Sequence, residues 1–92
     1  MAWRRRRESL RGMALFLLHH HHAAPDCGAA FAAWQGFDSP LRRHSAPSTC
    51  LAGGHEVWWR VEAPDPPAAL ALLPPYVARR TRAIAVRDVQ IP

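Results

Sequence analysis

A short apolar run, Ala14-Leu-Phe-Leu-Leu18, leads into four consecutive histidines, His19 to His22, and is closed soon afterwards by Pro25. In an extended chain Leu15 and Leu17 fall on one side and Phe16 and Leu18 on the other, so neither side is polar. Such a run reads as a central strand covered on both faces over residues 14–22. A buried helix is the rival, but a proline that soon after the run leaves it little length.

The rest of the chain is punctuated almost as sharply. Asp26 stands in N-cap position before Cys27-Gly-Ala-Ala-Phe-Ala-Ala-Trp-Gln-Gly36, where Phe31 and Trp34 share a face and Gly36 is a natural stop. Residues 37–47 lack periodicity and read as a loop. Ser48 to Ala52, Gly53-Gly54 and His55 to Glu62 read as a hairpin, the two glycines supplying the turn. That register puts Cys50, Ala52, His55, Val57, Trp59 and Val61 on one face, and Thr49, Leu51, Glu56, Trp58, Arg60 and Glu62 on the other. Asp65-Pro66-Pro67 opens a second helix, Pro74-Pro75 interrupts it, and a further helical turn follows to about Arg80. Ala83 to Ile91 reads as the last strand.

The expected order is therefore β-α-β-β-α-β. With right-handed crossovers this is α+β, a ferredoxin-like βαββαβ fold: a four-stranded antiparallel sheet, first strand central, two helices on one face. The uncovered face still carries Trp58 and leucines, so a second copy is the economical cover. In element order and sheet apolarity, residues 13–91 resemble the dimeric α+β barrel superfamily. The resemblance implies a homodimer around a cavity, in a group that includes cofactor-independent monooxygenases, isomerases, heme-handling enzymes and metal binders. None of their catalytic residues maps onto a position of this sequence.

Charge and composition narrow the function classes. Of the twelve arginines, five lie with a single Glu in the first twelve residues, and there is no lysine. From Met13 onward seven Arg face six Asp and Glu, so the domain expected over 13–92 is nearly neutral and no nucleic-acid face is implied. Residues 1–12 read as an Arg-rich leader, disordered or placed before the natural start at Met13. Arg6-Arg7-Glu8-Ser9-Leu10-Arg11 has the outline of a twin-arginine export signal, but the apolar stretch after it is short and ends in histidines rather than a small-residue cleavage site. No run approaches the roughly 20 apolar residues of a membrane span. Two cysteines without a CxxC pair fit a cytoplasmic protein with reduced thiols.

The candidate chemistry is metal binding. Strand alternation divides the histidines into His19 with His21 and His20 with His22, so all four cannot hold one ion; one pair needs a further ligand from Cys27, Cys50 or His55. Cys27, five residues past His22, could equally make a thiol–imidazole pair. Cys50 and His55 are expected as diagonal neighbours on the hairpin, about 7–8 Å apart at Cα. The leading expectation is a transition-metal-binding homodimer, taking Ni or Zn through His19, His20, His21, His22, Cys27, Cys50 and His55. Two alternatives stand beside it. One is a cofactor-independent dimeric-barrel enzyme, of monooxygenase or isomerase/cyclase type, acting on a small aromatic or polyketide-like substrate. The other is a non-catalytic interaction module.

Overall fold

The computed structural model describes residues 12–92; the first eleven residues of the expected leader lie outside them. Strand β1 (Ala14–His21) forms where the apolar run stands. It is flanked by β2 (Glu56–Ala63) and β3 (Thr81–Ala85), both antiparallel to it, in the order β2-β1-β3. The first strand is thus central. Its inner face carries Phe16, Leu18 and His20, opposite Val61, Trp59 and Val57 on β2. Its outer face carries Leu15, Leu17, His19 and His21 against Glu62, Arg60, Trp58 and Glu56.

Three short helices and two 3-10 turns complete the described residues: Ala24–Asp26 (3-10), α1 (Cys27–Ala32), Cys50–Ala52 (3-10), α2 (Pro66–Leu70) and α3 (Pro75–Ala78). The prolines set their lengths. Asp65 caps α2, its carboxylate accepting a hydrogen bond from the Ala68 amide at 2.8 Å. Pro74-Pro75 stops α2 and restarts the chain as α3. Ala69 of α2, Leu73 of the link and Val77 of α3 bury against Phe16, Leu18, Val61 and Ala63. Leu18, Leu73 and Val77 are 0–2 % exposed, and each contributes about 1.5–3 kcal/mol by leaving water.

The expected four-stranded ferredoxin-like βαββαβ sheet with two helices does not form. Its missing member is the strand expected over 48–52. Here side chains compete with the ladder: Ser48 Oγ accepts from the Cys50 amide and Thr49 Oγ1 from the Glu56 amide. Residues 50–52 coil into a 3-10 turn, and only a Ser48–Val57 bridge remains beside β2. The turn then closes with Gly53 and His55 in the left-handed region, φ 83° and 60°.

Two further boundaries move. Pro25 starts a 3-10 turn ahead of Asp26, so the Asp26 side chain caps nothing and α1 is six residues long. The last strand begins at Thr81 and ends at Ala85, with one further ladder bond from the Val86 amide to Leu15 O at 3.0 Å.

Gly54 is fixed by space: a Cβ there would collide with the Thr49 side chain, whose backbone oxygen also accepts the Gly54 amide at 2.8 Å. Gly54→Ala is expected to cost about 1–3 kcal/mol, the usual penalty for overpacking. Thermal melts should show a drop of several degrees or more.

Candidate metal centre

The site lies where the inner face of β1 runs out of apolar partners. Past Leu18, alternation continues to place His20 and then His22 inward, and both are almost fully buried, at 2 % and 3 % exposure. The ladder extends one step past β1, with the His22 amide donating to His55 O at 3.2 Å. This step brings the His22 and His55 rings to 5.5 Å between centroids. His55 does so in the left-handed backbone region, which histidine tolerates better than most residues. Cys27 enters from the start of α1, carried back toward the strand end by the tight turn at Pro25.

The side chains make one continuous line. Thr81 Oγ1 donates to Val77 O at 2.7 Å, leaving both oxygens free to accept from His20 Nδ1, at 3.1 and 3.3 Å. His20 Nδ1 therefore carries the proton and Nε2 the lone pair. His20 Nε2 lies 2.8 Å from His22 Nδ1, so His22 donates there and turns its own Nε2 lone pair outward. That lone pair meets Cys27 Sγ at 3.2 Å, and His55 Nδ1 reaches the same sulfur at 3.0 Å. One donor atom from each of His22, Cys27 and His55 falls within 4.8 Å of the other two.

Such a group can hold a metal ion. Bond lengths of about 2.0–2.3 Å place the ligand atoms of a tetrahedral zinc about 3.4–3.7 Å apart, so small side-chain adjustments suffice. Burial, followed by the neighbouring imidazole, holds both His20 and His22 below the ordinary histidine range. They are neutral at pH 7, the form a ligand needs. His20, whose Nδ1 donates to Val77 O and Thr81 Oγ1, is the outer partner that would fix how His22 faces an ion.

Other expected ligands go elsewhere. His19 lies on the outer face, stacked on Trp58 at 5.0 Å and bonded to Glu56 at 2.8 Å. His21 is exposed at the strand end. Cys50 is half-buried in the 3-10 turn and stays out of the three-donor group; with no hairpin strand at 48–52, the diagonal pairing of Cys50 with His55 is lost. Sequence reasoning missed Thr81 and Val77, which no motif marks, and treated His20 only as a ligand.

Beside the centre is a cavity of about 410 Å³, with His20 and His22 in its wall together with Trp34, Trp59, Arg42 and Arg43. An aromatic wall is supplied by Trp59 and Trp34, whose rings lie 5.8 Å apart. No helix among the described residues is long and apolar enough to cross a membrane. No protein-family model matches the chain, and comparison with curated proteins and with solved structures returns no match.

Proposed function

We propose that the protein is a transition-metal protein whose His22 Nε2, Cys27 Sγ and His55 Nδ1 bind one zinc ion and leave the fourth position open. The observation that carries this reading is the convergence of three donors from three separate segments, with the His22 lone pair aimed by a buried relay. Nickel competes for the same set, but three protein ligands from imidazole and thiolate with a fourth position open is the arrangement of a zinc that acts on a ligand. When bound, zinc would polarise a ligand carbonyl or lower the pKa of a bound water toward 7. The chain's own part is to keep the His22 imidazole neutral, to fix its tautomer through His20, and to border the centre with a walled cavity.

Metal analysis of protein purified without an immobilised-metal column is expected to find one equivalent of zinc. Cobalt substitution should give the charge-transfer absorption of a thiolate ligand. Cys27→Ser or His55→Ala should weaken zinc binding at least a hundredfold in competition with a chromophoric chelator. His20→Ala, which removes only the outer partner, should weaken it about 10–100-fold. A His19→Ala/His21→Ala pair should leave it unchanged. Unaltered affinity in Cys27→Ser and His55→Ala would sink the proposal.

A second reading draws on the 3.2 Å approach of Cys27 Sγ to His22 Nε2, with His22 in turn oriented by His20. A thiol, a base and an orienting group in line are the parts of nucleophilic catalysis without a metal. On this reading the protein is an enzyme acting on a small aromatic substrate in the adjoining cavity. It gains if the purified protein carries no metal and iodoacetamide alkylates Cys27 at least tenfold faster than Cys50. It fails if the two thiols react alike.

A further inference from the structure

We propose that the cavity beside the three-donor centre is a binding pocket for a small aromatic carboxylate, its ring against Trp34 and Trp59 and its carboxylate on Arg42 and Arg43. Its placement next to His22 rests on the metal-centre reading; its recognition of an anion does not. Three features of the cavity point this way.

The first is charge. Arg42, Arg43 and His44 line the cavity, and no Asp or Glu does. Among the described residues the ion pairs are His19–Glu56 and Arg60–Asp88, so neither loop arginine is neutralised by a carboxylate. Arg42 Nη1 donates to Phe37 O at 3.3 Å, which holds that guanidinium to its own loop while leaving other N–H groups of the fork to serve a ligand. Arg43 is kept at φ 66°, a conformation that costs free energy in any residue but glycine.

The second is the wall. Trp34 and Trp59 are tilted 49° to one another, and Phe31, 63 % exposed, adds a third aromatic ring to the lining. A flat ring would cover apolar surface that now faces water and gain the offset or edge-on contacts that aromatic groups favour. The third is size and depth. At about 410 Å³ the cavity is near the small end of ligand pockets, suited to one ring with a short substituent. Arg43 is exposed and His22 buried in the same lining, so an anion held by the arginine on the solvent side would leave the rest of the ligand directed toward the centre.

Benzoate is the probe, followed by calorimetry on the full chain, both metal-free and zinc-loaded. Saturable binding at one site is expected, with acetate and benzyl alcohol each at least tenfold weaker, since one lacks the ring and the other the charge. Arg42→Gln/Arg43→Gln should weaken benzoate at least tenfold with the near-ultraviolet circular dichroism unchanged. In the wild-type protein, added salt should weaken benzoate and not benzyl alcohol. Benzyl alcohol or acetate binding as tightly as benzoate, or salt having no effect, would overturn the proposal. Cys27→Ser separates the two readings: benzoate bound with zinc lost supports the pocket independently of the metal. Benzoate bound where the wild type takes no zinc would end the metal reading alone.

Discussion

Replacing Leu18 by Ala is expected to remove about 3–5 kcal/mol of stability, the range for emptying a well-packed core position. Leu18 is 0 % exposed at the middle of the central strand, between Trp59 of β2 and Ala83 of β3, with α2, Leu73 and α3 packed over its face. A domain of this size has a total on the order of 5–10 kcal/mol, so the variant should be close to half unfolded in modest urea. Leu15→Ala, on the half-buried outer face opposite Glu62, should cost less than half as much. Urea midpoints of the two variants check both. Equal losses would mean that the inner and outer faces of β1 contribute alike to the core.

Acid is expected to destabilise the metal-free protein as well. Unfolded imidazoles take up a proton near pH 6.5, whereas burial holds His20 and His22 below that value in the fold. Below about pH 6.5 the unfolded state therefore binds more protons, and stability falls as pH falls until the folded-state values are reached. The slope is at most about 1.4 kcal/mol per pH unit for each histidine, and the loss begins as pH falls through about 6.5. Chemical denaturation at stepped pH in the presence of a chelator measures it. The paired change His20→Gln/His22→Gln should flatten the profile. An unchanged slope in that variant would show that other groups carry the acid transition. Zinc should steepen the loss in the wild type, because protons compete with the ion for His22, Cys27 and His55.

Much of this was legible where one local rule faced no competitor. Pro25 left the rival buried helix little length, so the apolar run read as a strand, and strand period then divided the four histidines between faces. Asp65 followed by two prolines specified the start of α2. Legibility failed where side chains and backbone offered rival hydrogen bonds of similar strength. Ser48 and Thr49 drew neighbouring amides out of the ladder, so a hairpin suggested by Gly53-Gly54 became a 3-10 turn over residues 50–52, followed by His55 in the left-handed region. That same exchange separated Cys50 from His55 and gave His55 to Cys27. The roles of Thr81 and Val77 were invisible for another reason: each contributes through one oxygen atom whose place depends on how α3 docks on the sheet.

The line from Val77 to His55 also has a topological consequence. Its members stand at 20, 22, 27, 55, 77 and 81, so every stretch of chain between Thr81 and β1 must be in place before the donors meet. No fragment that stops short of Thr81 keeps the whole line, and a peptide spanning the histidine run and Cys27 has the ligating atoms of only two of the three donors. Assembly of the centre and completion of the fold are thus one event. If the proposed ion binds there, its loss would act through His22 and His20 on Val77 of α3 as well as on the thiol.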